Sequence, residues 1–340
     1  MVTTNGQSVR VAVDAMGGDY APQEIVKGAI QAASEGGIEV ILVGSEDTIY
    51  GELAKYDVSH LPIDVVNASE IIRDGESPVS ALRHKPDASV PVAMRLVKEN
   101  KADAVVSMGH TGMVMVSAVA TLGNLPGIKR PAVGGLCFPI GPNTVMFDMG
   151  SNVDCKPRDL LNFAVIGSAF ARKMQNISNP TVALLNNGAE EGKGNKLTKE
   201  AYQLFKQSDL NFIGNVEGHD ITRGSANVIV CDGFTGNVLV KFCEGLGDFI
   251  VERLNSTLDK RLPKEELAAI SNDLFNLTHI ADVNGGGLLY GVDGVVWIGH
   301  GRPKAPQLAV SIHQAKLAVE RKLIETLREE LAKMEKSVSQ

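Results

Sequence analysis

The chain is built on one repeated pattern, in which a short apolar run ends in a polar, glycine-rich loop and a helical pattern follows. Several runs are β-branched without polar alternation, which is typical of strands buried on both faces of a sheet. Strand–helix–strand order favours parallel pairing with helices on both faces, so we predict an α/β fold of three layers, α/β/α, around a mainly parallel sheet. The predicted strands are Val9–Asp14, Glu39–Val43, Ile63–Val66, Ala104–Met108, Thr144–Phe147, Val182–Leu185, Phe212–Ile213 and Asn227–Cys231.

Helical patterns occupy much of the chain between these runs. Ser77 and Pro78 are predicted to open a long helix, as its N-cap and first residue. Two later helices are predicted to form a protruding hairpin at about residues 238–278. No repeat, low-complexity tract or clear linker interrupts the pattern, so we predict one domain over residues 1–340 that contains the hairpin. The other predicted helices, with the two of the hairpin, are Pro22–Glu35, Gly112–Leu122, Val238–Leu258, Lys264–Leu277 and Gln307–Lys336.

Composition narrows the class of protein. A net charge of -7 argues against general nucleic-acid binding, which needs clustered Lys and Arg. The polar N-terminus lacks the apolar core of a signal peptide, and no run approaches the ~18 apolar residues of a membrane span. We therefore expect a soluble, cytoplasmic protein. We expect no cofactor, and no metal because two lysines can supply the positive charge that the site needs. The cysteines lack metal-ligand spacing and are predicted to be buried and reduced: Cys137, Cys155, Cys231 and Cys243.

The glycine-rich loops predict an anion site. Ligands of parallel α/β sheets lie beyond the carboxyl ends of the strands, where helix N-termini point free N–H groups at an anion. Glycines allow the backbone to approach such a ligand closely. The absence of GxxxxGK[ST], and of GxGxxG after the first strand, argues against nucleoside triphosphates and dinucleotides. The loops are Asp14–Asp19, Gly109–Gly112, Asp148–Asn152, Asn186–Lys196 and Asp232–Asn237.

Three sets of polar residues allow two interpretations each. Asn237 and Lys241 share one face at a helix start, where they could hold and neutralise a ligand oxygen, or be a cap and a solvated lysine. Lys156, just before a helix-opening proline, could meet an anion or be solvated. The basic run 83–85 (Arg-His-Lys) could dock an acidic partner or be an ordinary solvated face.

In these loops the chain resembles the phosphate acyltransferases, the bacterial acyl-carrier-protein:phosphate transacylases. The resemblance runs along nearly the whole chain, in one order of motifs. It is carried by Val13–Asp19, Lys101–Ser107, Gly109–Gly112, Asp148–Asn152, Lys156–Pro157, Glu190–Asn195, Phe212–Glu217, Asp232–Val238 and His300–Gly301.

The resemblance implies a fold akin to isocitrate and isopropylmalate dehydrogenases and to phosphotransacetylases. It implies a homodimer that moves a long-chain acyl group from acyl-carrier protein to inorganic phosphate. The acyl phosphate would feed a membrane glycerol-3-phosphate acyltransferase for phospholipid (phosphatidic acid) synthesis, with peripheral contact to the inner face of the cell membrane.

The chain departs from the family pattern at several positions. His110 stands where Asn is usual, and Met113 and Ser151 where Ala is usual. Ile298 occupies the position of a common Lys. The pair 218–219 (Gly-His) replaces Ala-Arg, and the pair 302–303 (Arg-Pro) replaces Ser-Ser. These changes bear on the phosphate ligands and on acyl-chain preference, whereas most glycine loops remain.

For mechanism, we predict that the enzyme positions phosphate, already a nucleophile, against the thioester and stabilises the oxyanion. His110 could protonate the departing thiolate or only replace the hydrogen bonds of Asn. Residues predicted for catalysis are Lys193, Asn195, Asn237 and Lys241. Residues predicted for substrate or phosphate binding are Asp14, Gly17, Gly18, His110, Thr111, Gly112, Asn152, Lys156, Asp232, Thr235 and Gly236.

Alternatives stay open at this point. Cys155 beside Lys156 could form an acyl-enzyme, because a nearby cation lowers a thiol pKa. The hairpin tip could meet anionic lipid or pack on the dimer partner; it carries Arg253, Leu254, Leu258, Lys260, Arg261, Leu262 and Lys264. Rival functions are a short-chain phosphate acetyltransferase that uses coenzyme A, a dehydrogenase of the same fold, and a non-catalytic lipid-surface scaffold.

Overall fold

The chain folds into two compact units. The computed structural model describes residues 8–72, 75–136, 141, 143–259, 261–279, 283–299 and 304–338. Unit 1 comprises Met1–Pro131 with Asn284–Glu329, and unit 2 comprises Ala132–Val283 with Glu330–Gln340. The single domain over residues 1–340 stays a prediction, because a compact unit need not fold by itself.

The strands are short and mostly buried. In chain order they are β1 (Val9–Asp14), β2 (Ile38–Gly44), β3 (Ile63–Asn67), β4 (Ala104–Ser107), β5 (Ala132–Leu136), β6 (Val145–Phe147), β7 (Thr181–Leu185), β8 (Asn211–Val216), β9 (Val228–Val230), β10 (Gly287–Tyr290) and β11 (Val295–Ile298).

Helices follow most strands. In chain order they are α1 (Gln23–Ser34), α2 (Glu46–Leu53), α3 (Pro78–His84), α4 (Ser89–Lys98), α5 (Thr111–Thr121), α6 (Pro157–Met174), α7 (Lys196–Lys206), α8 (Gly218–Ile221), α9 (Gly233–Leu258), α10 (Lys264–Thr278), α11 (Ala305–Glu320) and α12 (Leu323–Val338).

In the described residues of unit 1 there are six strands, in the order β3-β2-β1-β4-β11-β10. All neighbours pair in parallel except β10 and β11, which are antiparallel. Helices α1, α4 and α11 pack on these strands. The side chains of β1 and β4 that lie beneath them, such as Val11 and Val105, have no exposed surface.

The part of unit 2 that the structure describes has five strands, in the order β5-β6-β9-β7-β8. Only β5 runs antiparallel to its neighbour. Helix α6 packs against β5, β6, β7 and β9 and buries most of its length. Parallel neighbours end at the same edge, so the loops after β6, β9 and β7 stand side by side there.

The predicted α/β class with mainly parallel strands is confirmed. Every predicted strand is present, and each starts within one residue of its predicted first residue. Three strands were not predicted: β5, β10 and β11. Glycines interrupt β5 (Ala132–Leu136, AVGGL), and β10 begins with a glycine, which weakens a strand pattern in sequence. The three-layer arrangement and the dehydrogenase-like fold name stay predictions.

Two predicted helices are wrong in length. The long helix opened by Ser77 and Pro78 stops at His84, and α4 begins only at Ser89. Pro86 explains the break, because the residue before a proline avoids helical geometry and Lys85 has φ -130 and ψ 62. The single C-terminal helix is two helices, α11 and α12, separated where Lys322 adopts a positive φ of 53.

The helical hairpin in unit 2 is confirmed as α9 and α10, and α9 begins five residues earlier than predicted, at Gly233. Its tip leucines are half-buried rather than exposed. One face of α9 is apolar yet exposed, and we call it the α9 stripe. Its inner half is Phe234, Val238 and Phe242, and its outer half is Leu246, Phe249 and Ile250.

Candidate active site

Asp148 orders the loop that follows β6. Its carboxylate has no exposed surface and accepts the N–H groups of Gly150 and Ser151, each at 3.0 Å. It also accepts the backbone N–H of Asn152 at 2.7 Å and its side-chain amide at 2.8 Å. Burial raises the pKa of Asp148, and the four hydrogen bonds oppose that rise. The predicted phosphate ligand Asn152 is itself buried, and both its backbone N–H and its side-chain amide donate to Asp148.

Glycines bring the loop after β9 against the loop after β6. The N–H of Gly233 donates to the carbonyl of Asn152 at 2.8 Å. A Cβ on Gly233 would lie 2.8 Å from the Asn152 backbone, and one on Gly236 would collide with the carbonyl oxygen of Asp148. Gly236, predicted to bind phosphate, is thus a buried packing residue, and only glycine permits this approach.

Asp232 and Thr235 form the N-terminal cap of α9. Asp232 accepts the Thr235 N–H at 2.8 Å and the Thr235 hydroxyl at 2.9 Å. This is ordinary capping, which explains why α9 starts at Gly233. Both residues had been predicted to bind phosphate, and the structure directs their side chains to each other.

Asn237 and Lys241 share one face of α9, as predicted, but have different surroundings. Asn237 is exposed beside Gly150, where a Cβ added to the glycine would lie 3.3 Å from the Asn237 Oδ1 atom. Lys241 is also exposed, and its Nζ atom forms an ion pair with Glu244 Oε2 at 2.6 Å. The geometry therefore places Asn237 at the loop and directs Lys241 to a neighbour on its own helix.

Lys156 stands at the N-cap of α6, directly before Pro157, as predicted. Its side chain is exposed, and its backbone N–H donates to Asp159 at 2.8 Å. The adjacent thiol of Cys155 is half-buried and lies 3.2 Å from the carbonyl oxygen of Asn152. Burial raises the pKa of Cys155 to about 12, although Lys156 is adjacent. The nearby carboxylates of Asp148, Asp159 and Asp232 add to the rise. Such a thiol is protonated at neutral pH and is a poor nucleophile.

Replacing Cys155 with alanine is accordingly expected to leave turnover within about twofold of the unchanged enzyme, because no thiolate is available for an acyl-enzyme. Steady-state release of the thiol from an acyl thioester, in the presence of phosphate, measures it. A loss of more than about a hundredfold with the fold intact would restore the covalent route.

The loop after β7 presents Lys193 and Asn195. Asn195 caps α7 through its Oδ1 atom, which accepts the Thr198 N–H at 3.0 Å. The backbone of Lys193 is held by Glu190 and Asn186, at 3.0 and 3.2 Å, and its side chain crosses Gly188 and is exposed. The structure thus fixes the base of the Lys193 side chain and leaves its charged end in solvent.

In unit 1, Asp14 lies beneath its loop rather than on the loop surface. Its carboxylate is fully buried and accepts the Ser107 hydroxyl at 2.6 Å and the Met16 N–H at 3.2 Å. Ser107 in turn accepts the Gly109 N–H at 3.1 Å. Burial raises the pKa of Asp14. Asp14 therefore joins the loops after β1 and β4, and no surface of it remains for the phosphate contact that was predicted.

Gly17 also lets the loops after β1 and β4 approach each other closely. A Cβ on Gly17 would lie 2.8 Å from the Gly109 nitrogen, and Gly18 has a positive φ of 101. His110 and Thr111 are exposed at the start of α5, where an N-terminal anion site would be. The His110 ring crosses Gly112, whose added Cβ would meet it at 3.1 Å. The roles given to these residues stay predictions.

Sequence reasoning missed two residues that organise these loops. Ser107 appears in the sequence only as the end of a family motif, although a serine that ends an apolar strand two residues before Gly109 is a usable signal. The sequence places Asp148 in a glycine-rich loop but assigns it no role. Ser107 acts through a hydrogen bond to Asp14 in a distant segment, which a sequence pattern does not display. The carboxylate of Asp148 instead binds residues 150–152 of its own loop.

The remaining predictions concern the basic run 83–85, Ile298 and several residues that the structure does not describe. Lys85 of the basic run pairs with Glu76 at 2.6 Å and donates to the carbonyl of Ile71 at 2.8 Å, so the run offers less free charge than predicted. Ile298 ends β11 and is buried. Residues outside the described ranges include Cys137, Lys260, His300, Gly301, Arg302 and Pro303.

Two observations concern metals and membranes. Within the described ranges, no group of three or more His, Cys, Asp or Glu side chains lies close enough to share a metal ion. In that same part of the chain, no helix combines the length and apolar character needed to cross a membrane.

Comparison with known proteins places the chain in a family. Residues 9–326 match the family described as fatty acid synthesis protein. The phosphate acyltransferase of Thermosynechococcus vestitus is 43% identical over 330 residues, 94% of each chain. That of Dictyoglomus turgidum is 45% identical over 328 residues, 94% of this chain and 98% of the relative.

Solved structures share the fold at much lower identity. EutD phosphotransacetylase from Staphylococcus aureus superposes with a TM-score of 0.61 and 16% identity, over 93% of this chain and 95% of that one. This likeness shows the fold alone, whereas the relatives of 43% and 45% identity show that the chain is an acyltransferase. It belongs to the phosphate acyltransferase family, and its reaction is an acyl transfer that involves phosphate.

Proposed function

We propose that the chain transfers a long-chain acyl group from acyl-carrier protein to inorganic phosphate, giving an acyl phosphate for phospholipid synthesis. The observation that carries the phosphate part is the edge of unit 2, where α6, α7 and α9 all begin after neighbouring parallel strands. Helix N-termini favour anions, and exposed lysines stand at two of these three starts. Family membership supports the acyl transfer.

The proposed phosphate contacts lie within unit 2. Asn237 and Lys193 are the favoured donors, because both are exposed at this edge. Asn237 lies near the start of α9, and the backbone of Lys193 is held by Glu190 and Asn186. Lys156 adds a positive charge at the start of α6. Asn195 and Lys241 are less favoured than the sequence suggested, since Asn195 caps α7 and Lys241 pairs with Glu244.

In the proposed mechanism, an oxygen of phosphate attacks the carbonyl carbon of the thioester. A tetrahedral oxyanion forms, the C–S bond breaks, and the carrier thiolate leaves and takes up a proton. Phosphate is anionic at neutral pH, so no side chain has to activate it. The protein's task is to hold phosphate near the carbonyl and to place donors where the oxyanion charge develops.

The test is to incubate the protein with palmitoyl-acyl-carrier protein, with and without phosphate. Free carrier and hydroxylamine-trapped acyl phosphate are measured together. Phosphate-dependent release with a trapped product is expected. Release from acetyl-coenzyme A but not from the carrier would instead favour the short-chain alternative, and no release from either would contradict the proposal.

A homodimer is part of the proposal, and the outer half of the α9 stripe supports it. Large apolar side chains in a row on an exposed helix face mark interaction surfaces. Replacing Leu246 with glutamate is expected to shift the protein from dimer to monomer, because the charge would be buried without a partner. Sedimentation or light scattering measures the mass. Tyr50→Glu, at an exposed site on α2 in unit 1, is the control and should leave the mass unchanged.

We also propose peripheral contact with the cytoplasmic face of the membrane, coupled to a membrane glycerol-3-phosphate acyltransferase that consumes the acyl phosphate. The support is the tip of the hairpin, where Arg253, Arg261 and Lys264 are exposed. Basic residues near a surface favour anionic lipid. The tip leucines are half-buried, so charge rather than insertion would dominate the contact.

A further inference from the structure

The inner half of the α9 stripe begins inside the candidate site. Phe234 lies between Gly233, which donates to the Asn152 carbonyl at 2.8 Å, and the cap residue Thr235. Its side chain is nevertheless 61% exposed, and Val153, the residue after Asn152, is 57% exposed. Two large apolar side chains therefore flank the contact between the two loops, and neither is used by the phosphate site.

The stripe then leads away from the site along α9. Val238 and Phe242 follow Phe234 at intervals of four residues and are 51% and 65% exposed. Side chains with this spacing lie on one helix face. The inner half extends for about 12 Å, at about 1.5 Å per residue. One acyl chain in a bilayer leaflet occupies about 15 Å, half of the hydrocarbon core. The surface thus has roughly the length of a long acyl chain and starts next to Asn237.

We infer that the inner half of the α9 stripe, with Val153, binds the acyl chain of the donor and sets the preference for long chains. The inference rests on the proposed function. The inner half of the stripe starts beside the proposed phosphate contact Asn237, and this position favours the acyl chain as its ligand. A thioester held at Asn237 has its chain attached within reach of Phe234. A second copy of the chain is assigned to the outer half, which lies farther along the helix.

The test compares palmitoyl- and butyryl-carrier protein as donors for the unchanged enzyme, Phe234→Ser and Phe249→Ser. The two phenylalanines are 61% and 62% exposed on the same helix, so they are matched in burial. Because the carrier is the same, its docking cancels in the ratio of kcat/KM between the donors. Val238→Ser is a second inner variant in case Phe234→Ser does not fold, and circular dichroism checks each protein.

For Phe234→Ser or Val238→Ser we expect the palmitoyl:butyryl ratio to fall about tenfold, with butyryl transfer retained, because lost apolar contact penalises only the long chain. Phe249→Ser should keep the ratio. An unchanged ratio in both inner variants, an equal fall in Phe249→Ser, or conversion to monomer by an inner variant would overturn the inference. If the unchanged enzyme releases the carrier from neither donor, the proposed function is wrong as well. If it transfers butyryl and palmitoyl groups equally well, only the inference is wrong.

Discussion

Replacing Asn237 with alanine is expected to lower kcat about a hundredfold, because loss of one donor to a developing oxyanion commonly has an effect of this size. Asn237 is exposed next to Gly150 at the edge where α6, α7 and α9 begin, and its side chain has no part in the core. The fold should therefore survive, and the loss should appear in kcat more than in stability. Phosphate-dependent carrier release under saturating donor measures it.

Lys241→Ala is the matched control, one helical turn away on the same face of α9. Its ammonium pairs with Glu244 at 2.6 Å in an exposed setting, and such pairs have small effects. A change of less than about threefold is expected. If Lys241→Ala were the more damaging variant, the ion pair would have to open when phosphate binds, and the assignment of Asn237 as the principal donor would be wrong.

Replacing Gly236 with alanine is expected to destabilise the protein by about 3 kcal/mol, the upper part of the usual range for overpacking. The added Cβ would collide with the carbonyl oxygen of Asp148, and a backbone atom cannot rotate away as a side chain does. Either α9 must move from the loop after β6 or that loop must shift, so activity should fall with stability. Denaturant unfolding, with the midpoint and slope compared, measures the effect.

Gly51→Ala supplies the control for an added methyl group. Gly51 is exposed within α2, and a Cβ there would meet no atom within 4 Å. Alanine is the better helix former, so an increase in stability of about 0.5–1 kcal/mol is expected. If Gly236→Ala destabilised the protein no more than Gly51→Ala does, the collision with Asp148 would be relieved at little cost, and Gly236 would then need another explanation.

Local patterns predicted most of the fold because they reflect local physics. Val9–Asp14 is predicted with its observed bounds, since valine at every second position favours a strand. The prediction of one long helix after Ser77 is wrong because it continues the helix past Pro86, whereas the residue before a proline disfavours helical geometry. Strand β11 was missed because four apolar residues between glycines carry little signal until their pairing with β4 is known.

The site was predictable as a set of loops but not as a set of contacts. Glycine-rich strand ends identified the edge of each unit, since parallel sheets place their ligands there. The sequence could not tell that Asp232 and Thr235 satisfy each other, or that Asn152 serves Asp148. The sequence predicts phosphate contacts for these residues because it does not distinguish a free polar side chain from one that is hydrogen-bonded within the protein. The structure separates them by hydrogen bonds, leaving Asn237 and Lys193 exposed.

The late position of β11 has a consequence for synthesis of the chain. Unit 2 is almost continuous in sequence, Ala132–Val283, so nearly all of it leaves the ribosome as one stretch. Unit 1 is different, because β4 needs β11 beside it and α1 needs α11, both supplied by Asn284–Glu329. The first segment to be translated must therefore wait, with one side of β4 unpaired, while Ala132–Val283 is made. Such an edge invites aggregation, so truncation near residue 283 should be far more harmful to the nascent unit 1 than to unit 2.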